Sequence, residues 1–226
     1  MKLTEFQKKF KALRKKGWVK THRKGPTGVG HTLEQELGMT ENNIAGSDFK
    51  FAELKAHRLN SSSLITLFTF NRKVWKIKPI DAVKKYGTPD ENGRLGIYFT
   101  MGQTPNSAGL FLDFKDEEIE LRHKDGTLVA VWPVEELVKR FKKKYPALVL
   151  VSAESEERNG VEFFWYNRAQ LLRETSPATL VQQFRAGTIL LDLRLHDKGT
   201  SARNHGTGFR AYERSLTQIF SKSEDI

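Results

Sequence analysis

Residues 146–154 read PALVLVSAE, a nearly continuous apolar run far shorter than a membrane span and shaped like a strand buried on both faces. Such a strand needs a neighbour along each edge and cover above and below, so the chain has to build a layered domain around a sheet. PVEELVKRFKKKY just before it starts with proline at a first helical position and carries its cations late, as the helix dipole favours. SPATLVQQFRAG after it has Ser176 as N-cap, Pro177 at N1 and Gly187 as a stop, and TILLDLRL then reads as another strand. At 226 residues the chain can bury a core without staples.

The remaining segments fit the same plan. Phe6, Phe10 and Leu13 recur at helical spacing while Lys8, Lys9, Lys11, Arg14, Lys15 and Lys16 take the other faces, which predicts an amphipathic helix ending at Gly17. KTHRKGPTGVG is a loop feeding a helix from about Gly28 to Leu37. A second strand is expected in SSSLITLFTF, a helix plus loop over 71–95, and a meander of four short strands in GIYFTM, AGLFLDF, EEIELRH and TLVAVW. Strands and helices interleave at both ends of a β-rich middle, so the fold class is α/β or α+β with a mixed sheet.

Charge and cysteine content narrow the function. Lys and Arg total 38 against 27 Asp and Glu, a formal net charge of +11, which favours polyanionic partners, nucleic acid first. The absence of cysteine excludes thiolate zinc sites, iron–sulfur clusters, thiol catalysis and disulfides. MKLTEFQKKFKALRKKGW has no signal-peptide core and the chain offers no apolar membrane span, so a soluble, cytoplasmic protein is expected.

One stretch carries chemistry. In GSDFKFAELKAHR, Ala52, Leu54 and Ala56 alternate with Glu53, Lys55 and His57, so Glu53 and Lys55 project from one face of a strand that Leu54 anchors. Asp48 can enter the same space if Gly46 and Ser47 turn the chain. Two carboxylates supply hard oxygen ligands for Mg²⁺, and a lysine can hold an attacking water beside a phosphodiester. A charged strand face with a cross-strand ion pair produces the same text. His57 follows on that face, either as a DNA contact or as a solvent-exposed imidazole.

The longer segment GVGHTLEQELGMTENNIAGSDFKFAELKAHR resembles the catalytic stretch of the MvaI/BcnI restriction endonucleases, which are similar to the mismatch-repair nicking enzyme MutH. Val29, Gly30, Leu33 and Glu34 match the start of its helix, and D…E-x-K the strand; LITLF, LVSAES, LDLRL and NHGTGFR resemble later elements in order. The resemblance implies a PD-(D/E)XK core in which Asp48 and Glu53 bind Mg²⁺, with Mn²⁺ able to substitute, Lys55 positions or activates water, and Glu34 supports the site from its helix. Glu154 in SAES can face the same cleft and is left out of the catalytic set.

The resemblance also gives the carboxy-terminal stretch LDLRLHDKGTSARNHGTGFR a role in reading sequence. Arg194, Arg203, His205 and Arg210 lie in or beside a Gly-rich loop, suited to bidentate contact with guanine, while Asp192 can accept from cytosine or orient an arginine. An internal Asp192–Arg194 ion pair and a plain turn at Gly206 and Gly208 compete with that reading. No G-x-S-x-G elbow supports a His205 triad, and GPTGVG lacks the lysine of a phosphate loop. The basic helix at 6–16 and KRFKKK at 139–144 are candidate phosphate contacts or solvated faces.

The expected organisation is a catalytic part of residues 1–70 and 146–175 and a DNA-recognition part of 71–145 and 176–226. The resemblance implies a monomeric type II restriction enzyme that nicks one strand of duplex DNA at a time in a short pseudopalindromic site, CCWGG-like, leaving 5′-phosphate ends. A cognate DNA methyltransferase would belong to the same system. A MutH-like repair nickase and a non-catalytic DNA-binding protein of the same fold are the alternatives.

Overall fold

The computed structural model describes residues 1–39, 52–61 and 64–226, so Asp48 and the turn expected before it lie outside the described residues. In chain order the elements are α1 (Leu3–Lys16), β1 (Val19–Lys20), α2 (Gly28–Glu36), β2 (Glu53–Arg58), β3 (Leu64–Phe68), α3 (Pro79–Tyr86) and β4 (Thr88–Pro89). Then come β5 (Leu95–Met101), β6 (Leu110–Phe114), β7 (Glu118–His123), β8 (Leu128–Pro133), α4 (Val134–Lys144), β9 (Ala147–Arg158) and β10 (Val161–Arg173). The chain closes with α5 (Pro177–Arg185), β11 (Ile189–Asp197), β12 (Ala202–Asn204), β13 (Gly208–Tyr212), a 3-10 turn (Glu213–Ile219) and β14 (Lys222–Asp225). Among the described residues no helix is long and apolar enough to cross a membrane. Two compact units result: Met1–Ser63, Lys142–Glu174 and Phe220–Ile226 form one, Leu64–Phe141 and Thr175–Ile219 the other.

The first unit holds a sheet in the order β1-β10-β9-β2, with β14 also on β10. The apolar run of β9 sits inside it, antiparallel to β10 and parallel to β2, with Glu53 opposite Leu148 and Lys55 opposite Leu150. Asn159 and Gly160, both at positive φ (52° and 73°), make the tight turn of the β9–β10 hairpin. Helices α1 and α2 cover one face: Phe6, Phe10, Leu13, Leu33 and Leu37 pack with Leu54, Val149, Val151 and Tyr166. Each large apolar side chain buried there contributes about 2 kcal/mol. Lys9 donates to the Leu37 carbonyl at 2.9 Å and Lys16 to Glu36 at 2.7 Å, so part of the basic face of α1 ties the two helices together.

Strand β10 breaks the period that would have marked it, because a bulge between Tyr166 and Arg168 exchanges inward and outward positions halfway along. In the second unit a sheet runs β3-β13-β11-β5-β4, with β12 on β11, beside the meander β6-β7-β8. LITLF forms the expected strand and pairs with β13, Phe68 opposite Phe209. One expectation changes here. The expected four-strand meander keeps three strands, since β5 leaves it to pair with β11, Phe99 opposite Leu193. Alternation identifies a strand and its buried face, but the partner is set by which core that face completes.

Candidate active site and nucleic-acid interface

Among the described residues strand β2 is the edge of its sheet, and its alternation puts buried Leu54 in the helix-covered core while half-buried Glu53 and Lys55 point from the opposite face. Arg58, on the Leu54 face at the far end, fixes the helix above. Its Nε and Nη2 donate to the two Glu162 oxygens at 2.6 and 2.8 Å, and Nη1 and Nη2 donate to the carbonyls of Pro26 and Gly25 at 3.1 and 3.2 Å. The guanidinium lies 5.1 Å over the Phe164 ring, and the Tyr166 hydroxyl donates to the Val29 carbonyl at 2.7 Å.

The start of α2 is thus held at the Arg58 end of β2. Leu33 and Leu37 join Ala52 and Leu54 in one core cluster, so α2 runs back along the strand, about 13 Å of helix against about 17 Å of strand. Glu34 is half-buried on this helix.

His57 departs from its expected surroundings. It is 5% exposed, its Nε2 lies 2.8 Å from Ser152 Oγ on β9, and it is not a solvent-exposed imidazole. Burial lowers its pKa, with a backbone hydrogen bond at Arg58 acting the other way. Glu154 is also removed from the centre. It is exposed, accepts from Asn167 Nδ2 at 2.6 Å, and stands six residues along β9 from the partner of Glu53, about 20 Å of strand.

Among the described residues no three His, Cys, Asp or Glu side chains gather as a metal site. Glu53 is the one described carboxylate of the expected pair. A carboxylate supplies the hard oxygen ligand that a cation such as Mg²⁺ takes. At the same end of the sheet Tyr145 is buried, and burial, with the Glu53 charge added, holds its phenol above the usual value. Sequence reading passes over Tyr145 because it follows a run of lysines.

In the second unit, alternation along β11 buries Leu191, Leu193 and Leu195 on one face and aligns Asp192, Arg194 and His196 on the other. Asp192 is 0% exposed, so it presents no edge to a ligand. Its Oδ2 accepts from Arg194 Nε at 3.0 Å and Arg210 Nη2 at 2.7 Å, and its Oδ1 from Thr100 Oγ1 at 2.9 Å. Of the two roles open to Asp192, orienting arginine is the one this geometry serves; the internal Asp192–Arg194 pair is present, and Arg210 shares it. Arg194 also stacks 6.0 Å from the ring of Tyr98, which is 40% exposed. Tyr98 and Thr100 were not singled out in the sequence, though their i, i+2 spacing in GIYFTM carried the signal.

The NHGTG segment is more than a turn. Asn204 Oδ1 accepts from the amides of Gly206 and Thr207, both at 2.8 Å, Thr207 Oγ1 accepts from the Arg194 amide at 2.9 Å, and the His205 amide donates to the Arg194 carbonyl at 2.8 Å. Gly206 turns the chain at φ 95°, whereas Gly208 serves close approach: a Cβ there would stand 2.8 Å from the Phe68 carbonyl oxygen. His205 is exposed, stacks on His196 with ring centroids 4.3 Å apart, and contacts His196 Nδ1 through its Nε2. Exposed Arg203 sits opposite His196 in the β11–β12 ladder. Arg194, Arg203, His205 and Arg210 are therefore brought together around one strand.

Comparison with known proteins agrees with this layout. The model of the MvaI/BcnI restriction endonuclease family matches residues 7–220. A search of curated proteins gives no match. A solved complex of restriction endonuclease MvaI with a cognate DNA substrate has a TM-score of 0.72 at 25% identity, covering 100% of this chain and 99% of that one. MvaI in the absence of DNA has a TM-score of 0.63 at 24% identity, covering 99% and 97%.

Proposed function

Because the chain belongs to the MvaI/BcnI restriction endonuclease family, we propose that it is a Mg²⁺-dependent type II enzyme hydrolysing phosphodiester bonds in duplex DNA at a short pseudopalindromic site. The observation that carries the reading is the placement of Glu53 and Lys55 on one face of strand β2. The MvaI complex with cognate DNA supports duplex DNA as the ligand.

In this reading Glu53 and Asp48 hold the cation and Glu34 shapes the site behind them. Mg²⁺, when bound, supplies Lewis-acid polarisation of the phosphoryl group. Lys55 holds the attacking water through its ammonium. The water oxygen bonds to phosphorus, the bond from phosphorus to the 3′-oxygen breaks, water yields a proton to solvent and the departing oxygen takes one up, leaving 5′-phosphate and 3′-hydroxyl ends. Arg194 and Arg210, oriented by Asp192, read guanine, with His205 and Arg203 beside them. The protein acts as a monomer, one strand at a time, at a CCWGG-like site, and a cognate methyltransferase shields that site in the host.

Incubating the protein with plasmid and Mg²⁺ tests this. Discrete fragments of constant end sequence are expected, and a Lys55→Ala protein that cuts as fast as wild type would remove the mechanism. Nicking only in the presence of partner proteins would favour a repair enzyme, and binding without cutting a non-catalytic module.

A further inference from the structure

Strand β5 carries a glycine two residues before its exposed tyrosine. In the ladder with β11, Thr100 stands opposite Asp192, Tyr98 opposite Arg194 and Gly96 opposite His196. Opposite residues of an antiparallel pair project to the same face, so these three rungs form one patch, which Arg210 joins through Asp192. A Cβ built on Gly96 would stand 2.3 Å from Tyr98 Cε2 and 3.0 Å from Cδ2. The tyrosine ring therefore lies down along β5 and occupies the place that a side chain opposite His196 would take.

Glycine inside a strand weakens it, and two ordinary reasons for keeping one are backbone conformation and cover by a neighbouring ring. The first does not apply, because Gly96 is not among the glycines at positive φ. The second does: Gly96 is buried, while the ring above it is 40% exposed. Cover alone leaves the surroundings of this ring without a reason. Arg194 Cζ is 6.0 Å from the ring centroid, at the outer edge of a cation–π contact, so the pair adds little to the fold. His196 carries the stacked ring of His205, and Arg203 stands opposite His196 on β12. A fixed apolar plate thus sits in the middle of the cations and hydrogen-bonding groups that face DNA in the reading above.

The major-groove edges of a duplex offer mainly hydrogen-bonding groups. What they offer an apolar plate is C5 of a pyrimidine, methylated in thymine. Tyr98 and Arg194 are cross-strand neighbours roughly 5 Å apart, close to the rise of about 3.4 Å per base step, so an arginine on one base brings the tyrosine to an adjacent one. We propose that Tyr98 is a specificity-determining residue, its ring packing against C5 of the pyrimidine next to the guanine that Arg194 reads. This role rests on the duplex-DNA reading above, and it adds an apolar element to a face otherwise built from charges.

The test needs no cleavage. Duplexes bound by the protein in EDTA are selected from a randomised pool, which defines the preferred site. Affinities are then measured for site duplexes in which single thymines are replaced by uracil or single cytosines by 5-methylcytosine. For wild type one such exchange is expected to change affinity about fourfold, the effect of one buried methyl group. Tyr98→Ala should bring that ratio to one and leave the ratios at other positions as they are, and Tyr98→Phe should keep it. A ring with a merely structural role would weaken every duplex alike and leave the ratio unchanged.

Wild type indifferent to every C5 exchange, or a Tyr98→Ala protein with wild-type ratios, overturns the assignment. Should Tyr98→Ala melt early, Tyr98→Thr, a residue suited to exposed strands, decides in its place by the same ratio. Arg194→Ala separates this role from the reading it rests on: if that protein loses preference for a guanine while Tyr98→Ala keeps every ratio, Tyr98 falls and the guanine reading stands. If the pool yields no preferred sequence, both fall.

Discussion

Arg210 Nη2 lies 2.7 Å from Oδ2 of Asp192, a carboxylate with no exposed surface, and Arg194 Nε shares that oxygen from 3.0 Å. One buried charge therefore holds two half-exposed guanidinium groups in fixed directions. Breaking a buried pair costs about 3–5 kcal/mol. Because both arginines can turn to solvent, Asp192→Ala should cost near the lower end, about 3 kcal/mol. Urea unfolding measures it, with Asp192→Asn falling between. The same variant should bind duplexes altered at single base pairs with nearly equal affinity, and retained discrimination would contradict the orienting role.

The Arg58 fork onto Glu162 is a separate device, on the helix-covered face of the catalytic strand. Arg58→Lys keeps the charge but loses the two parallel bonds and the hold on the Gly25 and Pro26 carbonyls. A loss of about 1–3 kcal/mol is expected. Amide exchange localises it: the first turn of α2, around Val29, should lose protection while β9 keeps its own. Equal protection in both proteins would show that Tyr166 and the core alone hold the helix.

How far the sequence could carry this depended on distance along the chain. Glu53, Leu54 and Lys55 were legible because the strand period is local, and α1, α4 and α5 because their apolar residues recur every turn. The burial of His57 was not, since its partner Ser152 is 95 residues away and arrives only through the β2–β9 ladder. Asp192 was open between accepting from cytosine and orienting an arginine until pairing with β13 brought Arg210 to it. Strand β10 lost its period to the bulge at Tyr166 and Arg168.

Burial of His57 gives a signed pH dependence. Its folded pKa lies below the ordinary imidazole value, so the unfolded chain binds the proton more readily. The contribution to stability is complete above about pH 6.5 and is lost as pH falls from there through the folded value. One proton limits the slope to about 1.4 kcal/mol per pH unit. Stability of a His57→Gln protein should vary less over this range than that of wild type, and identical profiles would show that the imidazole does not titrate between the two states.

The stacked His196 and His205 rings make the last case, because their ring-nitrogen contact needs a donor on one side and an acceptor on the other. Loss of hydration lowers the His196 pKa first, and the charges of Arg94, His205, Arg203 and Lys198 lower it further. His196 should therefore titrate below the ordinary imidazole midpoint when followed by its ring-proton NMR signal. His205→Ala should raise that midpoint only part of the way, because the hydration loss and the other cations stay. Added phosphodiester anion that neutralises Arg203 and Lys198 should raise it as well, linking protonation of the pair to occupancy of the face. A wild-type midpoint at or above about 6.5 would mean that the ring of His196 is hydrated and the contact between the two histidines is not what sets its charge.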